Sequence, residues 1–258
     1  MKDVLVLYPH GLGDCILLTP ALREFYNLTG NKLHVGILER FRTSKIFDHC
    51  PYIDNIFYTK DPWHDYGEEN AQVGFPALYN EWKTYAEENK FGGIVMPMHS
   101  EPENKIILNF KYLGLKNAQN FQTEIFTTDK DKEEALTIIK QKTSADKFGF
   151  IQTHAGLKTK DLPENFGRKW LAKNKGLSNF IEIGKEIKAF DYNINVQFEV
   201  LRQSSAVCLT DSVFYHACHA INMPVDYAYF ARGVGVYERV RPLHKVVENI
   251  SYKIEEID

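Results

Sequence analysis

The sequence predicts an α/β protein built from two Rossmann-like halves. Three observations carry this reading. Strand-like and helical stretches alternate almost from end to end, the signature of parallel sheets flanked by helices. Several strand candidates are continuous apolar runs, as strands buried on both faces should be. The pattern restarts near residue 147.

Taken in order, the first strand is 4–8 (VLVLY), stopped by Pro9 and turned by Gly11 and Gly13 into a helix over 15–28. Strands follow at 32–38 and 55–58, then a helix at 77–89, a strand at 93–96 and a helix at 105–113. An amphipathic helix at 132–142 places Ala135, Leu136, Ile138 and Ile139 on one face and follows the charged run DKDKEE. It is expected to close a first domain, 1–146. The second domain, 147–258, offers strands at 149–153, 179–183, 206–210 and 225–230, with a helix at 212–221. Two long loops, 60–76 and 155–170, each follow a strand, where open α/β sheets put their ligand sites.

Composition narrows the function classes. Of 258 residues, 44% are hydrophobic and 25% charged, which excludes a disordered chain. The net charge of −3 argues against a general nucleic-acid coat protein. No apolar run suits a signal segment or a membrane span. Cys15, Cys50, Cys208 and Cys218 form no C-x-x-C pair, so buried reduced thiols in a cytoplasmic protein are expected, with no metal site.

Three motifs can carry chemistry. In VLVLYPHGLGDCILLTPALREF, Gly11 and Gly13 permit a tight turn. Asp14 then stands at the start of a helix, as a functional carboxylate or simply as an N-cap. A dinucleotide fingerprint would need glycine where Ile16 stands. Ile16 and the lack of an obvious acidic ribose partner at the end of the second strand disfavour a nicotinamide oxidoreductase; Glu39 is the nearest candidate for that partner. In THAGLKTKDLPENFGRKW, a strand ends at Thr153, followed by His154 and Gly156. Lys158, Lys160, Arg168 and Lys169 then supply cations for a diphosphate, or only a solvated basic loop. In VCLTDSVFYHACHAINMP, Asp211 and Ser212 close a strand. The following helix offers free N–H groups and His216 to an anion, and His219 reads as a packed core histidine. The D-x-D at Asp129–Asp131 reads as a helix start rather than a metal motif.

HGLGDCILLTPALREF closely resembles the N-terminal motif of the heptosyltransferase family, glycosyltransferase family 9. LTDSVFYHACHAINMP resembles that family's second signature, and THAG with RKW its phosphate-binding elements. The resemblance implies a GT-B fold, two Rossmann-like domains with parallel sheets facing a cleft, here with an abridged second domain. It implies an inverting, metal-independent transfer from a nucleotide-diphosphate sugar, with no cofactor. Asp14 would be the general base. Gly11, Gly13, Thr153, His154, Gly156, Lys158, Lys160, Arg168, Lys169, Asp211, Ser212 and His216 would hold the donor. His10 and the aromatic loop at Trp63, His64 and Tyr66 are candidate acceptor contacts. The acceptor would be a glycan or lipid-linked hydroxyl, as in lipopolysaccharide biosynthesis. Two departures stand out: Val213 replaces the family's glycine after Asp-Ser, and Arg168 takes the usual Lys position. The stretch between Trp170 and the strand at 179 leaves only about ten residues for a helix. Alternatives are a phage-type enzyme acting on modified bases in DNA and a non-catalytic nucleotide-sugar binding module.

Overall fold

A computed structural model describes residues 3–65, 71–98, 102–116, 119–155, 158–187 and 192–251. The chain divides into two compact units, Met1–Phe121 and Gln122–Asp258.

The first unit runs β1 (Val4–Leu7), α1 (Leu12–Thr29), β2 (Leu33–Leu38), a 3-10 turn (Glu39–Ser44), β3 (Ile53–Thr59), α2 (Ala71–Glu88), β4 (Gly93–Val95) and α3 (Lys105–Tyr112). All strand pairs are parallel, in the order β3-β2-β1-β4. β2 is buried along its whole length, which is why its sequence, LHVGIL, is apolar apart from His34. Gly36 has no room for a side chain, because a Cβ there would lie 2.9 Å from Leu7 Cδ2. On one face of the sheet Leu5 and Leu7 pack with Phe57, Trp82, Tyr85 and Phe91.

The second unit runs α4 (Asp129–Lys142), β5 (Gly149–Gln152), a 3-10 turn (Lys158–Lys160), α5 (Phe166–Lys175), β6 (Phe180–Glu182), α6 (Ile194–Gln203), β7 (Ala206–Thr210), α7 (Val213–Ala220), β8 (Val225–Tyr229), α8 (Val234–Val240) and β9 (Glu248–Ser251). Its strands are also all parallel, in the order β6-β5-β7-β8-β9.

The boundary lies at 121/122, not at the expected 146/147. The reason is α4, whose buried Ala135 and Ile138 face the second unit's packing rather than closing the first. At its start, Thr127 Oγ1 donates to Glu199 Oε1 of α6 (2.6 Å), and Asn193 Nδ2 donates to Asp131 Oδ1 (3.3 Å). Asp131 also accepts from the Thr128 N–H and hydroxyl in a capping box. The D-x-D is thereby spent on starting a helix.

The loop expected over 155–170 is corrected as well. Arg168, Lys169 and Trp170 lie on α5, which already starts at Phe166. A ten-residue helix fits before β6 because it begins four residues ahead of Trp170, inside the stretch read as loop. Gly167 lets α5 seat directly on β5, since a Cβ there would fall 2.6 Å from Ile151 Cγ2.

Candidate active site

In each sheet all strands point the same way, so the loops at their C-terminal ends share one edge. The chain order reverses between β1 and β4 in the first unit, and between β5 and β7 in the second. Those reversal points are where open α/β sheets leave a crevice.

In the first unit, β1 leads through Tyr8 and His10 into α1. Gly11 is the N-cap, in extended geometry, and Gly13 belongs to the first turn. Asp14 sits inside that turn, so it does not take the N-cap position. Its Oδ1 lies 2.5 Å from Lys105 Nζ, and both side chains are only 17% exposed. Lys105 opens α3 across the reversal point, just after the cap Asn104, whose Oδ1 accepts from the Ile106 N–H at 3.0 Å. Asn109, one turn further on, fixes this helix. Its amide donates to Tyr8 Oη (3.1 Å) and to the Leu17 carbonyl (3.0 Å).

His10 Nε2 lies 2.7 Å from the Pro97 carbonyl. A carbonyl only accepts, so the proton is on Nε2 and Nδ1 is the accepting nitrogen. Burial holds the imidazole below its ordinary range, with Asp14 and the Pro97 hydrogen bond pulling the other way. Burial also pushes Tyr8 and Cys15 upward, so both keep their protons.

An aromatic row extends from this point. His10 stands edge-on to Tyr8 (4.8 Å between centroids) and against Phe75 (6.0 Å). Phe75 in turn meets Trp63 at 5.6 Å and 89°. Trp63 is 48% exposed, and His64 beside it is exposed. Asp61 organises their turn: its Oδ1 accepts from the Trp63 N–H (3.0 Å), and its Oδ2 pairs with Arg40 (2.7 Å). The structure thus brings His10, Asp14 and Trp63 to one edge of one unit. Tyr66 lies outside the described residues.

In the second unit, the basic loop folds back onto the end of β7. Lys160 Nζ lies 2.6 Å from Asp211 Oδ2, and Thr210 Oγ1 donates to the Lys160 carbonyl. Asp161 holds the loop's start, accepting from the Ala155 N–H (2.9 Å) and meeting His154 Nδ1 at 3.2 Å. The Leu162 N–H donates to the Thr153 carbonyl at 2.9 Å. Ser212 caps α7 by position but not by its side chain. Its hydroxyl is buried and makes no hydrogen bond among the described residues. His216 is buried in the first turn of α7.

Thr153, His154, Lys160, Asp211, Ser212 and His216 therefore surround the second reversal point. Arg168 is directed elsewhere: its Nε meets Glu182 at 2.9 Å and its Nη2 meets Glu186 at 2.6 Å. Lys158 and Lys169 are exposed. Gly156 lies outside the described residues. His219 is buried, with Nε2 3.3 Å from Glu248, as a core histidine should be. Among the described residues no cluster of three or more His, Cys, Asp or Glu could hold a metal ion. No helix among them is long and apolar enough to cross a membrane.

Sequence reasoning missed Lys105, Asp161 and the Glu182–Glu186 pair. Lys105 left a trace: a lysine at the first position of a helix opposes the helix dipole and so calls for a partner. The carboxylates partnering Arg168 left none, since their pairing depends on how α5 meets β6.

No protein-family model matches the sequence, and no curated protein matches it. Solved structures do match over nearly the whole chain. A glycosyltransferase family 9 protein from Veillonella parvula superposes with a TM-score of 0.66 at 12% identity, covering 97% of this chain and 85% of that one. The E. coli ADP-heptose lipopolysaccharide heptosyltransferase II gives 0.62 at 11% identity, covering 98% and 91%. The E. coli heptosyltransferase WaaC, solved with ADP, gives 0.59 at 12% identity, covering 95% and 93%. The chain has the GT-B-like α/β fold of these glycosyltransferases.

Proposed function

We propose that this protein is an inverting, metal-independent glycosyltransferase of the heptosyltransferase kind. It moves a sugar from a nucleotide-diphosphate sugar to a hydroxyl of a glycan or lipid-linked acceptor. The observation that carries the reading is Asp14, a carboxylate held in the first helical turn beyond β1, at the reversal point of its sheet.

Asp14 accepts the proton of the acceptor hydroxyl as the oxygen bonds to the anomeric carbon. His10 receives a hydroxyl through Nδ1, and Trp63 offers its exposed face to a sugar ring. The bond from the anomeric carbon to the diphosphate breaks, and the electron pair leaves with the diphosphate. Lys160, the first-turn N–H groups of α7 and the buried Ser212 hydroxyl stabilise that charge. Thr153, His154, Asp211 and His216 complete the donor side. Arg168 orders β6 and its turn through the two glutamates, so its contribution to donor binding is indirect.

The test is Asp14→Asn with a panel of nucleoside diphosphates, their sugar conjugates and acceptors. Transfer should fall by about 10²- to 10⁴-fold, with nucleotide binding unchanged. Wild-type-like transfer by the variant would remove Asp14 from the mechanism. Nucleotide binding without turnover on any acceptor would point to a binding module.

A further inference from the structure

We infer that Lys105 is the positioning residue of the proposed base: its ammonium holds the Asp14 carboxylate in place through Oδ1 and favours its ionised form. The inference rests on the transfer reading above and adds to it a residue that neither the sequence motifs nor the fold assigns.

Four facts support it. The pair is short, 2.5 Å, and little exposed on both sides, so water screens it weakly. Lys105 stands at the positive end of α3, where a cation is disfavoured; a helix-favouring sequence would place an acid there. The residues around it are built to hold it, with Asn104 capping the helix and Asn109 bridging to β1 and α1. Finally, Tyr8, His10, Cys15 and Lys105 face Asp14. Tyr8 and Cys15 keep their protons and burial lowers His10, so of these four groups Lys105 brings the positive charge.

A carboxylate beside a cation stays ionised to lower pH. Lys105 donates to Oδ1, and Oδ2 lies on the Gly11 side. A purely structural ion pair between α1 and α3 would alter stability and the Asp14 titration together but leave the acid limb of the rate profile in place.

The experiment compares wild type, Lys105→Met, Lys105→Gln and Lys105→Arg. In the neutral variants the acid limb of the pH–rate profile should move up by about one to three pH units. Transfer at neutral pH should fall at least about ten-fold, a change equivalent to ~1.4 kcal/mol. Lys105→Arg should keep the wild-type limb. A ¹³C carboxyl titration of Asp14 in wild type and Lys105→Gln reads the same shift without needing turnover. An unmoved limb or an unmoved titration in a folded neutral variant would overturn the inference. If Asp14→Asn retained transfer while the titration still moved, the transfer reading would fail and the Lys105 effect on Asp14 would stand.

Discussion

Gly74→Ala offers the sharpest check on how the proposed acceptor edge is built. Gly74 lies in α2, where the helix meets the turn that carries Trp63. A Cβ at this position would stand 1.7 Å from the Pro62 carbonyl oxygen and 2.7 Å from its carbon. An ordinary carbon–oxygen contact is about 3.3 Å, so the Pro62 carbonyl must retreat by about 1.5 Å. The turn cannot yield atom by atom. Asp61 ties it to Trp63, His64, Asp65 and Arg40 through a set of hydrogen bonds and an ion pair. It therefore moves as a block and carries Trp63 off Phe75. Overpacking of this kind costs about 1–3 kcal/mol. Alanine in place of glycine within a helix returns about 1 kcal/mol. The net loss is then about 0–2 kcal/mol, or a melting point lower by up to about 8 °C for a unit of this size. The functional effect should be selective: acceptor KM rises, while nucleotide affinity stays at the wild-type level. Acrylamide quenching of Trp63, isolated by difference against Trp63→Phe, reports the displacement. A variant that melts at or above wild type, with quenching unchanged, would refute the close packing and the aromatic row drawn from it.

Three further outcomes follow from the same geometry. Gly167→Ala drives a methyl into Ile151, and after the helix-propensity gain of about 1 kcal/mol thermal unfolding should show a loss of up to about 2 kcal/mol. In long-range ¹H–¹⁵N spectra, His10 should be the neutral Nε2–H tautomer at pH 7, titrating below the ordinary histidine range, near 6.5; a charged ring at neutral pH would contradict its burial. Burial alone would raise the Glu248 carboxyl, but the close contact with His219 and the hydrogen bonds from Tyr237 and Tyr215 outweigh it and hold the carboxyl below its ordinary range. A lowered carboxyl stabilises the fold above its unfolded value, about 4.3, and that stability is lost as pH falls through the lower folded value. Glu248→Gln should therefore be less stable than wild type at pH 7, and the gap in urea midpoint should narrow toward pH 3.

Much of the fold was legible because parallel strands buried on both faces leave largely apolar runs, as in β1, β2 apart from His34, and β7 up to Thr210. What stayed hidden has specific causes. In α6 the apolar residues Ile194, Val196, Phe198 and Val200 alternate at period two, the pattern of a strand. It folds as a helix because Asn193 caps it and tertiary packing buries Asn195, Gln197 and Glu199 together with their apolar neighbours. β9 is four residues long with Ile250 its single apolar residue, too weak a signal to stand without its pairing to β8. The candidate site was legible where a motif sits at a strand end, as with Asp14, Lys160 and Asp211. Partners that arrive from distant elements were not, as with Lys105, which stands 91 positions from Asp14.

The two units carry the same device with its polarity reversed, and this supports giving them different tasks. Each reversal point is spanned by one lysine–aspartate pair, Asp14 with Lys105 and Lys160 with Asp211. In the first unit the leading loop, after β1, brings the carboxylate, and the cation comes from across the crevice. In the second unit the leading loop, after β5, brings the cation, and the carboxylate comes from across. A fold of this kind leaves chemistry to the groups mounted at that edge. With the acid leading, and a neutral histidine beside it, the edge suits taking a proton from a hydroxyl. With the cation leading, and the start of α7 with its buried Ser212 hydroxyl beside it, the edge suits a diphosphate. Exchanging charges within one pair, as Lys160→Asp with Asp211→Lys, keeps the net charge and the pairing but turns the second edge into a likeness of the first. Nucleotide affinity should then fall by at least about ten-fold while the double variant stays folded. An affinity that survived the exchange would mean that charge at this edge does not decide what it binds.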